Sequence, residues 1–119
     1  MISGMRKCVG AALFGCAVLA LAALSAAQGG KRTFTGKITD DECPRSDHSA
    51  MQMGSNDAEC TVACVEVHGA SYVLFDGEHA YRLSDQMRPK QFAGQKVTVT
   101  GTLDAKTSTI QVDSIAAAK

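Results

Sequence analysis

Three stretches of this chain alternate with a period of two, and two of them hold a glycine within the alternation. Over Arg32–Thr39, Phe34, Gly36 and Ile38 share one side, while Thr33, Thr35, Lys37 and Thr39 share the other. Gln95–Leu103 places Val97, Val99 and Gly101 together, and Ser108–Ile115 carries Ile110, Val112 and Ile115. That period, rich in Thr, Val and Ile, is the pattern of a half-buried strand. Tyr72-Val73-Leu74-Phe75 and Ala80-Tyr81-Arg82-Leu83 flank Asp76-Gly77-Glu78-His79, whose Asp-Gly step marks the turn of a hairpin. Glycine inside a strand marks a sharp bend or a close backbone approach. Strands of this length with Gly36 and Gly101 inside them predict a strongly curled sheet, mainly β with a short helix, closing into a five-stranded OB-like barrel. The alternative is an antiparallel sheet with one packed helix.

The segments between the strands are of two kinds. Asp40–Ser55 has no periodicity and contains Pro44 and Gly54, so it reads as a long loop, and long loops in small domains tend to carry function. Asn56 or Asp57 can cap a helix running to about His68, with Gly69 just beyond it and Ala58, Val62, Ala63 and Val65 as its apolar face. Ser84–Gly94, with Pro89, Met87 and Phe92, suits a short helical turn or loop. The domain is expected over residues 32–115, after a disordered leader at 28–31 and before a tail at 116–119.

The first 27 residues follow a different logic. Arg6 and Lys7 are followed by a stretch from Cys8 to Ala27 without a charge, closing on Ser25-Ala26-Ala27 before Gln28. A charged start, an apolar middle and small residues at the exit form the pattern of a cleavable signal peptide. Cleavage near Ala27 is expected, releasing the rest to the periplasm or the extracellular space. The run is also about as long as a membrane span, roughly twenty residues, so contact with a membrane is expected only through this segment if it stays attached. Leu13-Phe14-Gly15-Cys16 offers a third outcome, a lipidated Cys16. The whole chain has 12 basic and 12 acidic residues, and removal of Arg6 and Lys7 with the signal leaves the remainder mildly acidic. With no basic patch, nucleic acid is not an expected partner. The sequence names no other partner.

Some of these segments resemble known proteins. Gly94-Gln95-Lys96-Val97-Thr98-Val99-Thr100-Gly101-Thr102-Leu103, followed by Thr109-Ile110-Gln111-Val112-Asp113-Ser114-Ile115, resembles the closing hairpin of small exported bacterial OB-fold proteins. Gly36-Lys37-Ile38-Thr39-Asp40 leading to Cys43 and His48, then Cys60-x3-Cys64 before Gly69-Ala70-Ser71-Tyr72-Val73-Leu74, resembles an uncharacterised family within that group. The resemblance implies the barrel and implies no activity.

Of the five cysteines, Cys8 and Cys16 fall in the signal, leaving Cys43, Cys60 and Cys64. An odd number of thiols in an oxidising compartment is an anomaly to be explained. The order Cys43-x4-His48-x11-Cys60-x3-Cys64 supplies four donors able to surround a zinc ion, with thiolates at about 2.3 Å and imidazole at about 2.1 Å. On a helix Cys60 and Cys64 share a face. His68 extends that stripe, and Cys60-x3-Cys64-x3-His68 resembles the binuclear copper segment of respiratory oxidases, without the methionine and second histidine that complete it. Met51 and Met53 beside His48 are further candidate ligands, because thioethers select Cu(I). Small periplasmic OB-fold copper chaperones use such ligands. This chain, however, has no tryptophan to cover the metal, and its methionines lie in a loop.

The plain alternatives use the same residues. A disulfide from Cys43 to Cys60 or Cys64 would close a loop of roughly twenty residues, worth about 3 kcal/mol to a small domain. Met51 and Met53 then serve as packing, His68 as a favourable partner of the helix C-terminus, and His79 as a solvated turn residue. Asp40, Asp41, Glu42 and Asp47 read as a solvated acidic face in preference to a Ca²⁺ site. The chain contains no phosphate-binding Gly-rich loop, no Gly-x-Ser-x-Gly and no His-Glu-x-x-His, so an enzyme is not expected. Without Cys-x-x-Cys, thiol exchange stands as the least favoured function. The expectation is an exported binding module for zinc or Cu(I), against a disulfide-stapled ligand- or protein-binding barrel without metal.

Overall fold

The computed structural model describes residues 30–119. The expected signal segment with Cys8 and Cys16, and the first part of the expected leader, lie outside the described residues. Among the described residues five strands form: β1 (Arg32–Asp40), β2 (Tyr72–Phe75), β3 (Ala80–Leu83), β4 (Lys96–Asp104) and β5 (Thr109–Ala117). One α-helix, α1 (Asp57–His68), lies between β1 and β2, and a 3₁₀ turn at Arg88–Phe92 lies between β3 and β4. Every segment read as a strand from its alternation is a strand. The expected tail is shorter, because Ala116 and Ala117 continue β5 and pair with Thr98 and Val97.

The strands pair in the order β1-β2-β3-β5-β4, and β4 returns to β1, so the sheet closes in a ring. Strand β1 makes this possible by serving two neighbours. Its first part pairs with β4, from Arg32 opposite Gly101 to Lys37 opposite Lys96. Its last part pairs with β2, from Lys37 opposite Phe75 to Asp40 opposite Tyr72. Strands β3 and β5 run parallel, so the sheet is mixed, unlike the simple antiparallel alternative.

Both strand glycines sit where the ring bends. A methyl group on Gly36 would collide with the carbonyl of Phe75, and one on Gly101 with the carbonyl of Gln111. Gly101 also marks a register shift between β4 and β5, a bulge that increases local curvature. Phe34, Ile38, Tyr72, Leu74, Leu83, Val97, Val99 and Ile110 fill the interior. At about 1.5–3 kcal/mol for each large apolar side chain fully buried, they supply most of the drive to fold.

Helix α1 begins where its cap predicts. Asn56 has extended backbone, and its side chain accepts a hydrogen bond from Glu59 N. Gly69 ends it with φ of 73°, sending its N–H back to Val65 O. Its buried face differs from the expected one. Ala58 is exposed, Val62, Ala63 and Val65 are half-buried, and the fully buried positions are Cys60, Thr61 and Cys64. The helix is held over the β1 end of the ring with its thiols and a hydroxyl turned inward.

Candidate metal centre

Strand β1 ends on Asp40, which is fully buried, contrary to the solvated acidic face expected there. Its Oδ1 accepts hydrogen bonds from Glu42 N at 3.1 Å and Cys43 N at 2.9 Å, an Asx-type turn that carries the chain out of the sheet. Thr39 Oγ1 donates to Cys43 O at 2.9 Å, fixing the same turn from the other side. Asp41 then ties the loop to the start of β2, its N–H donating to Ser71 O and its carboxylate accepting from Ser71 N. Only Asp40, of the four acids in this loop, is withdrawn from water.

His48 folds back over this turn and is 7% exposed. Its Nε2 lies 3.4 Å from Thr61 Oγ1 on α1, and its Nδ1 lies 3.9 Å from Asp40 Oδ2. The second distance is too long for a hydrogen bond. Asp40 Oδ2 and His48 Nδ1 are both buried without any hydrogen-bond partner, two of four such atoms among the described residues. An unsatisfied buried polar atom costs about 1–3 kcal/mol, so two facing one another call for an explanation. Cys43 closes the group: one donor atom each from Asp40, Cys43 and His48 lies within 4.8 Å of the others, all three residues being buried. Asp40 also forms a second such group with Glu42 and Cys64.

Ligands of a tetrahedral zinc ion stand about 3.3–3.8 Å apart, from bond lengths of 2.0–2.3 Å. The observed donors need only a small contraction to meet that geometry. With Nδ1 facing the cluster, Nε2 is left to carry the proton and donate to Thr61 Oγ1, the arrangement by which a second partner orients a ligating histidine.

Cys43, Cys60 and Cys64 are buried, and none is bonded to another in this structure. Burial pushes the Cys64 thiol up to about 12, with the nearby Asp40, Cys60, Cys43 and Glu42 acting in the same direction. Cys43 is raised as well, again first by burial and then by Asp40 and Cys60. These mutual effects place the three sulfurs in one neighbourhood, where without a cation Cys43 and Cys64 stay protonated. Cys60 stands outside both donor groups. Its Sγ donates to Met51 O at 3.0 Å and accepts from Met53 N at 3.4 Å.

The other sequence candidates separate from the cluster. His68 pairs with Glu42 at 3.3 Å on the partly exposed rim of α1. Met51 and Met53 are half-buried and reach the site through their backbones. His79 is exposed beside its turn. Asp40 and Thr61 are the members that residue type and spacing did not single out.

Residues 65–118 match the family described as protein of unknown function (DUF5818). The matched segment runs from the end of α1 through β5 and begins just after Cys64. It therefore covers most of the ring and none of Asp40, Cys43, His48, Cys60 and Cys64. No curated protein and no solved structure matches the chain significantly.

Proposed function

We propose that this chain is an exported binding module, an OB-like barrel whose β1–α1 loop holds one borderline divalent metal ion through Asp40, Cys43, His48 and Cys64. The observation that carries the reading is the facing pair of unpartnered buried atoms, Asp40 Oδ2 and His48 Nδ1, beside the Cys43 thiol. A cation there satisfies both atoms at once and compensates the carboxylate. The OB-like assignment is supported by the strand order β1-β2-β3-β5-β4 with β3 parallel to β5.

The donor set also bears on which metal. Two thiolates, an imidazole and a carboxylate suit Zn²⁺, a borderline ion bound by all three ligand types. Cu(I) prefers sulfur without carboxylate, so the buried Asp40 weighs against it. Export remains part of the proposal on the strength of residues 1–27.

Cobalt titration of the reduced, purified protein tests the reading. One Co²⁺ per chain is expected, with thiolate-to-metal absorption that Zn²⁺ displaces. Asp40→Asn and His48→Ala are each expected to weaken binding by about 100-fold, as loss of a ligand from a small site should. Failure of the wild-type protein to retain either metal at stoichiometry would overturn it.

A further inference from the structure

An ion bound at this centre needs a route, because Asp40 and Cys64 are sealed from solvent and Cys43 is only 8% exposed. One open cleft of about 420 Å³ lies between the loop and the start of α1. Its walls include His48, Cys60, Asp47, Ser49, Ser55 and Asn56. Among the described residues, His48 is the one cluster donor on these walls and Cys60 the one thiol. The cleft thus reaches one donor of the cluster, on the loop, and one further thiol, on the helix.

Cys60 is suited to this place in ways the other thiols are not. It stands one helical turn before Cys64 on the buried face of α1, so a group held at Cys60 lies beside Cys64. Its Sγ makes only the two sulfur hydrogen bonds to the loop backbone at Met51 and Met53, both of a weak class. Removing a divalent ion from water all at once is prohibitively costly, whereas exchanging its water ligands one at a time for protein donors is not.

Resting on the metal-binding reading above, we propose that Cys60 is the exchange ligand of the centre, taking an incoming divalent ion from the cleft and passing it to Asp40, Cys43, His48 and Cys64. In the first step the Cys60 S–H bond breaks, its proton leaves to cleft water, and a sulfur–metal bond forms as the ion loses a water. In the second, the Cys43 and Cys64 thiols give up their protons as they bind. Cys60 releases the ion and regains one proton, and the hydrogen bonds to Met51 and Met53 reform. Two protons are released in total and no electron is transferred. Unloading to a competing chelator follows the same path in reverse.

Stopped-flow loading with Co²⁺ alone, and stripping of the loaded protein by a chelator, provide the test. In Cys60→Ser both rates are expected to fall about tenfold while equilibrium affinity stays within about threefold of wild type. In Cys64→Ser affinity itself is expected to fall. Unchanged rates in Cys60→Ser, or lost affinity with loading intact, would overturn the proposal. A second measurement needs no variant: in the metal-free native protein, a small alkylating reagent is expected to modify Cys60, on the cleft wall, before Cys64. Modification of Cys64 before Cys60 would rule out the cleft as the route. Failure of wild type to bind Co²⁺ would instead remove the metal-binding reading, a result distinct from either of these.

Discussion

Asp40 has two oxygens in two different situations. Oδ1 holds the turn through the N–H groups of Glu42 and Cys43, while Oδ2 is buried 3.9 Å from His48 Nδ1 with nothing to bond. In Asp40→Asn the amide oxygen can keep the turn and the amide nitrogen can face His48. The metal-free variant should therefore be more stable than wild type by about 1 kcal/mol in urea denaturation, although its metal affinity is weakened. A side chain that served the fold alone would show the opposite sign. Cys43, His48 and Cys64 were legible as candidate ligands from residue type and spacing, although the same cysteines also suited a disulfide. Asp40 was not. Asp40-Asp41-Glu42 reads as a solvated acidic run, and its first member is buried only because the loop and α1 close over the end of β1. Thr61 escaped notice for the same reason, because an isolated threonine in a helix carries no signal until His48 lies against it.

At the level of elements, the strands and the helix bounds could be read from alternation and capping, which are local. Asn56→Ala removes the acceptor for Glu59 N and is expected to cost about 1 kcal/mol of stability. Ring closure was only partly legible: Gly36 and Gly101 announced curvature, but the parallel pairing of β3 with β5 depends on residues far apart in the chain. Gly101→Ala forces a methyl against the Gln111 carbonyl and Ile110, and a loss of about 3 kcal/mol is expected, measured by thermal unfolding. The β2–β3 turn has a pH signature of its own. Hydrogen bonds from the N–H groups of His79 and Glu78 hold the Asp76 carboxyl below the usual carboxylate range. A carboxyl lowered by folding adds stability above its unfolded pKa, and that stability is lost as pH falls through the lowered folded value. Asp76→Asn keeps the acceptor but removes the titration. Its acid-denaturation profile is expected to be flatter than wild type, with little change in stability at neutral pH.

Considered as a whole, the molecule joins a ring built from local strand signals to a loop that is held at its ends. Asp41 and the Asp40 turn fasten the start of the loop, and the Asn56 cap with the Ser55–Glu59 pairing fastens its finish. Between them, the span around His48 is tied to α1 by few bonds, chiefly the contact with Thr61 and the bonds of Met51 and Met53 to Cys60. A metal joining Asp40 on β1, Cys43 and His48 on the loop, and Cys64 on α1 would link three elements at one point. Because an unfolded chain cannot present that geometry, binding free energy becomes folding free energy. At a free metal concentration one hundred times the dissociation constant, the gain is about 2.7 kcal/mol. For a domain of this size that corresponds to a rise of roughly 10–20 °C in Tm. Amide hydrogen exchange should locate the gain: protection is expected to increase most across residues 43–55 and the first turns of α1, while β4 and β5, already protected by the closed ring, change least. A uniform increase over the whole ring, or none in the loop despite bound metal, would place the ion elsewhere on the molecule.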